Sequence, residues 1–373
     1  MRLRLLAVAA AALVFATPAH AGAPAVSARA YFVVNPATGE VLAQRRAWAR
    51  VPIASITKLM TIIVALDHAK LTDVVRVQRE AADVGESTIN LHAGERITVG
   101  DLVKGALIQS ANDAADALAD YVARGNEAAF VRMMNVKASE LGLARTHFAR
   151  PDGLDASNHY STALDVTRLA EAAMRDPRIR AVVRERTASI SGGRRLHTWN
   201  DLLGVFGGLY GVKTGHTSAA GWCEVAAVRR NGVTLYTTVL GSPTRSQRNA
   251  DLAALLRWGI SRYRPAWVVD PQRVYLRASV GYGKGKVPIV AAKGAAAAVR
   301  IDRPLVERVV APAALSLPVT RGQHVGEVRV YSGRRLVARR ALVAQRAVAR
   351  PGLGGRVHFY VSRTFHTIGG WLS

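Results

Sequence analysis

The chain has 373 residues, half of them hydrophobic, with 51 lysines and arginines against 26 acids and a net charge of +25. Two domains with a substantial core are expected at that size. So basic a protein suggests nucleic acid, but no zinc-finger, RNA-recognition or helix-turn-helix pattern appears and the arginines are spread along the chain, so attraction to an anionic membrane or cell-wall polymer is preferred over nucleic acid.

The N-terminus reads Met1-Arg2-Leu3-Arg4, then an apolar run from Leu5 to Ala16, then Ala19-His20-Ala21. Positive charge, a short apolar run and a small-x-small site predict a secretory signal peptide over residues 1–21, too short for a membrane span. The mature chain is expected to start near Gly22. Cys223 is the only cysteine, so no internal disulfide can form; it is expected to be a small buried hydrophobe.

Ala30–Val34 and Glu40–Ala43 flank the turn-rich Asn35–Gly39 and predict a strand hairpin. An apolar helix follows from Ser55 to Leu66. Thr98 and Asp101 resemble a capping box that opens a helix ending near Ile108. Two more helices are expected over Asp113–Arg124 and Glu127–Leu141, and Arg150–Asp155 is turn-dense. Thr162 and Asp165 again resemble a cap, ahead of a helix to about Met174. Strands follow at Leu209–His216, Trp222–Val228 and Val233–Leu240, the last two joined by Asn231-Gly232, a strong hairpin signal. Gln247–Tyr263 reads as an amphipathic helix, with Arg248 near its start. Arg264-Pro265 marks an expected boundary, beyond which about Ala266–Val348 reads as a small all-β domain. Ala295–Ala298 is too low in complexity to assign. The expected architecture is therefore α/β of the α+β type: helices bracketing an antiparallel sheet, with a mostly helical insert.

Chemistry centres on Ser55-Ile56-Thr57-Lys58. Residues three apart on a helix share a face, so Ser55 and Lys58 point into one space. A serine hydroxyl needs a base to become a nucleophile. Lysine can serve only where desolvation or another cation lowers its pKa. Lys213-Thr214-Gly215 supplies a second cation, and Ser110-Ala111-Asn112 lies between. Only eight of the 51 basic residues are lysines, leaving 43 arginines. Lys58 and Lys213 thus sit where an arginine, which effectively cannot deprotonate, would not serve.

These three motifs resemble the D-alanyl-D-alanine carboxypeptidases, low-molecular-mass penicillin-binding proteins of the serine β-lactamase-like superfamily. The likeness spans about Ala30 to Tyr263; Pro151-Asp152-Gly153-Leu154 and Arg248 ahead of Trp258 also fit. The resemblance implies a penicillin-binding-protein-like transpeptidase fold and a catalytic domain over residues 22–264. It implies acyl transfer on peptidoglycan stem peptides ending in D-Ala-D-Ala, with β-lactam antibiotics as covalent inhibitors. By that resemblance Ser55 attacks and Lys58 is the base, Ser110 relays a proton, and Asn112 orients the peptide and Lys58. The backbone N–H groups of Ser55 and His216, next to Gly215, would form the oxyanion hole. Lys213, Thr214 and Arg248 would hold the terminal carboxylate. No metal or other cofactor is expected, the histidines showing no ligand spacing.

A cell-wall D,D-endopeptidase of the same superfamily and a non-catalytic β-lactam- or wall-binding module remain open alternatives. A class A β-lactamase does not fit, because Glu171-Ala172-Ala173-Met174-Arg175 departs from the E-x-x-L-N pattern of those enzymes. The resemblance places the protein in the periplasm or on the outer face of the cytoplasmic membrane. The β-rich domain is expected over 265–350 and an amphipathic membrane-anchoring tail over 351–373. On a wheel of about 100° per residue, Val361, Phe365, Ile368 and Leu372 fall near Val357, with Tyr360 and Trp371 beside them. Arg356, His358, Arg363 and His366 take the other face, as in a helix lying in a membrane interface; Val357, Phe359 and Val361 also alternate as in a strand.

Overall fold

The structure, a computed structural model, describes residues 6–13, 22–282, 284–354, 357 and 359. It divides into two compact units, Ala21–Ser261 and a second made of Met1–His20 with Arg262–Ser373. In the first, five strands form an antiparallel sheet in the order Glu40–Arg45, Ala30–Asn35, Val233–Ser242, Gly221–Arg230, Leu209–Thr217. Ala30–Asn35 is buried at every residue and Val233–Ser242 at all but one. Both faces are therefore covered, which is why these strands read as apolar runs rather than alternations. Helix Arg245–Ser261 packs on Val233–Ser242 and Gly221–Arg230, and helix Ala163–Ala173 packs on Ala30–Asn35 and Val233–Ser242. Asn231 (φ 52°) and Gly232 (φ 76°) make the expected tight turn.

The insert is helical, with Lys58–His68, Asn112–Ala123, Glu127–Glu140 and Ala163–Ala173 packed around Leu59, Met60, Leu118, Phe130, Met134 and Phe148. Each such buried side chain contributes roughly 1.5–3 kcal/mol. Both sequence-assigned caps are present: Thr98 accepts from Asp101 N at 3.1 Å and Thr162 from Asp165 N at 3.0 Å. Asp165 also accepts from Arg145 N, so its work is structural.

Several boundaries differ from expectation. The serine lies not on the α-helix but on a 3-10 turn, Ala54–Thr57, with the α-helix starting at Lys58. Helix Val99–Lys104 widens into a π turn over Gly105–Gln109. The helix expected from Asp113 starts one residue earlier, at Asn112. The strand pairs Val74–Arg76 with Arg96–Thr98, and Thr187–Ile190 with Arg194–His197, are too short to show a period in sequence.

The second unit holds a seven-stranded sheet and a two-stranded one. Tyr263–Val269 pairs with Ala295–Arg300, so the boundary falls at Ser261/Arg262 and Arg264-Pro265 lie inside a strand. Proline is tolerated there because an edge strand needs no second ladder. The alanine run that sequence left unassigned is its partner. Leu6–Leu13, within the expected signal peptide, pairs with Leu305–Pro312. The tail from Arg356 to Leu372 lies almost wholly outside the described residues.

Candidate active site

Ala54 stands at φ +51° and opens the 3-10 turn that carries Ser55. Thr57 Oγ1 donates to Ala54 O at 2.8 Å and contacts His159 Nε2 at 2.8 Å. Burial lowers the His159 pKa to about 4, so this buttress is neutral. The turn places Lys58 directly beneath the serine. Lys58 Nζ donates to Ser55 Oγ at 2.9 Å, Asn112 Oδ1 at 2.6 Å and the Asp152 carbonyl at 2.7 Å. Its side chain has no solvent exposure. Burial lowers its pKa to about 8, against the pull of the Asp152, Asp116 and Asp113 charges. Desolvation is therefore the main cause, and the second cation that sequence reasoning invoked acts in the other direction: after burial, the Lys58 charge is the next cause that holds Lys213 well below its usual value.

The π turn ends at Ser110, held at φ +64°. Lys213 Nζ donates to Ser110 Oγ and to Thr214 O, both at 2.8 Å. Asn112 is fixed on both sides of its amide, by Lys58 and by donation to Gly85 O at 3.0 Å. Asp113, fully buried, accepts from Ile89 N and Leu91 N and so ties the 85–91 loop to this helix. The three sequence motifs thus converge.

The Lys213 strand reaches the serine turn because Gly215 has no side chain: a Cβ there would lie 2.9 Å from Ile53 O and 3.0 Å from Ser55 N. His216 is exposed and stacks on Trp222, ring centres 4.1 Å apart. Arg248 is buried beside Trp222, but its Nε and Nη2 are engaged. Nη2 donates to Asn249 Oδ1 at 2.6 Å and Asp201 Oδ2 at 3.0 Å; Nε donates to the same Asn249 Oδ1 at 3.1 Å and also lies 3.1 Å from Glu224 Oε2. Nη1 has no partner among the described residues.

All of Ser55, Ser110, Asn112, Thr214, Gly215, His216 and Arg248 line one cleft of about 180 Å³, with Lys58 and Lys213 buried behind it. Glu86, Ser87, Trp199 and Trp222 complete the wall, and sequence reasoning missed them and Glu224. Trp222 could have been found from the register, since it pairs with His216 across the hairpin. Such an array can activate a serine hydroxyl, pass a proton to a leaving group and hold an anion.

A family model described as D-alanyl-D-alanine carboxypeptidase matches residues 17–244. The chain is 34% identical to the D-alanyl-D-alanine carboxypeptidase DacC of Escherichia coli, over 96% of this chain and 94% of that one. Among solved structures it is similar to the Streptomyces K15 DD-transpeptidase, at 32% identity and TM-score 0.61, over 65% of this chain and all of that one. It is also similar to penicillin binding protein 5 of Haemophilus influenzae, at 27% identity and TM-score 0.64, over 88% and 100% of the two chains. With more than half of its length inside the family model and a full-length relative above 30% identity, the chain belongs to the D-alanyl-D-alanine carboxypeptidase family.

Proposed function

We propose that the cleft removes the terminal D-alanine from peptidoglycan stem peptides through an acyl-enzyme on Ser55. The observation that carries this reading is the 2.9 Å contact between Ser55 Oγ and a fully desolvated Lys58. With a pKa of about 8, roughly a tenth of Lys58 is neutral at pH 7. Neutral Lys58 takes the Ser55 proton as Oγ attacks the carbonyl carbon of the penultimate residue. Ser55 N and His216 N face the oxygen on which charge develops. The C–N bond then breaks as the proton held by Lys58 passes through Ser110, whose hydroxyl is held by Lys213, to the departing amine, which leaves Lys58 neutral again. Water attacks the ester, the peptide leaves as an acid, and Ser55 regains its proton. A β-lactam opens on the same serine.

Thr214 and the free Nη1 of Arg248 take the terminal carboxylate, with Lys213 supplying charge from behind. The protein is exported, acts in the periplasm or on the outer face of the cytoplasmic membrane, and is held there by its tail. Release of D-alanine from a pentapeptide tests the reaction. Ser55→Ala should abolish release and covalent penicillin labelling. Arg248→Ala should raise KM at least about tenfold for peptides with a free C-terminus and leave the amidated peptides nearly unchanged. Equal losses on both would overturn the carboxylate role.

A further inference from the structure

Glu224 stands out among the groups this mechanism leaves unused. It lies in strand Gly221–Arg230, paired with Thr214 of the Lys213 strand. Its side chain is fully buried. Neither carboxyl oxygen has a hydrogen-bond partner among the described residues. The nearest cation is Arg248 Nε at 3.1 Å, close enough for an ion pair but misaligned for a hydrogen bond. A buried carboxylate left this way is costly. Its other charged neighbours are Asp201, in the loop before the Lys213 strand, and Lys213 itself. Asp201 is paired with Arg245 and Arg248, which holds it ionised. Arg248 therefore already has one committed anion, and Glu224 is a second, sealed from water on the opposite edge from the free Nη1.

We propose that Glu224 is a positioning residue for Arg248 that also sets its grip on the terminal carboxylate, by taking up a proton when the peptide binds. The inference rests on the reading of Arg248 as carboxylate ligand. When Glu224 is neutral, the charge of Arg248 is directed at Nη1 and the incoming anion. When Glu224 is ionised, that charge is partly spent inward, and a third anion near one guanidinium is disfavoured. An arriving carboxylate raises the proton affinity of Glu224, and Glu224 binds a proton from solvent. Burial pushes its pKa up to about 7, so the exchange falls in the working range.

The test is the KM of a peptide ending in free D-Ala-D-Ala, measured from pH 6 to 8.5. In the unmodified enzyme KM should rise by about fivefold or more, on the order of ordinary coupling between sites. In Glu224→Gln, which keeps an oxygen facing Nε but cannot titrate there, KM should be flat while the kcat profile set by Lys58 persists. A KM that climbs in Glu224→Gln as in the unmodified enzyme would overturn the proposal. Should that variant not fold, Ser55→Ala binding the same peptide at pH 7.5 gives a second readout, by calorimetry in buffers of different ionisation enthalpy. Proton uptake with the acid peptide and none with its amide is expected; none with either overturns the idea. Failure of the Arg248 reading is separate, because Arg248→Ala would then weaken acid and amide peptides alike.

Discussion

Lys58 makes three hydrogen bonds from inside the protein, so its ammonium is well held but starved of water. Acylation by a penicillin should rise about tenfold per pH unit from pH 6 and level near pH 8, the neutral fraction of Lys58 being limiting. Stopped-flow labelling across that range checks it. Lys58→Arg keeps the charge and cannot shed the proton, so labelling should slow by at least about a hundredfold. A second prediction concerns stability. Below about pH 4.5 Glu224 is protonated whether the chain is folded or not. As pH rises to about 7 the unfolded chain releases that proton and the folded one keeps it, so stability falls; above about 7 the loss is constant. Glu224→Gln should thus be near neutral at pH 4 and stabilising, by on the order of 1–3 kcal/mol, at pH 8. Paired thermal melts at the two pH values decide it. Ser55 and Lys58 were legible because helical spacing ties them together. Glu224 was not, because one acid in an apolar strand has no periodic partner and its cation belongs to another element.

At the scale of elements, the site depends on how closely the Lys213 strand approaches the serine turn. A methyl at Gly215 would meet two backbone atoms, Ile53 O and Ser55 N, neither of which can swing aside. Gly215→Ala should therefore push the turn away, slowing acylation at least about tenfold while the circular dichroism spectrum is retained. Normal acylation would show that the turn yields. Strands and long helices were readable from their apolar runs and from Thr98, Thr162 and Asn231-Gly232. The 3-10 turn and the π turn were not, since both keep a helical pattern and differ only in how the backbone bonds. Yet these irregular turns aim Ser55 and Ser110, in line with the habit of such bulges at functional sites.

On the scale of the whole molecule, charge is divided unevenly. Residues 262–354 carry 18 lysines and arginines against four acids, whereas 22–261 carry 29 against 22. A polyanionic surface would therefore pull mainly on the β-rich unit. Truncation after Gly355 should release the protein from uncharged vesicles, where the basic unit has no pull, as read by flotation, while D-alanine release in solution continues. A truncated protein that still floats with these vesicles would place the anchor elsewhere. The sheet order has a further consequence, for biosynthesis. Val34 pairs with Tyr236, so nearly all of the catalytic unit lies between two neighbouring strands. A chain that emerges N-terminus first presents Ala30–Asn35, apolar at almost every position, long before Val233–Ser242 exists to cover its inner edge. Closing so long a loop is slow, and a waiting apolar strand invites pairing with the wrong chain. The arrangement that brings Lys213 to Ser55 thus leaves the first strand of the newborn protein uncovered until the last sheet strand arrives.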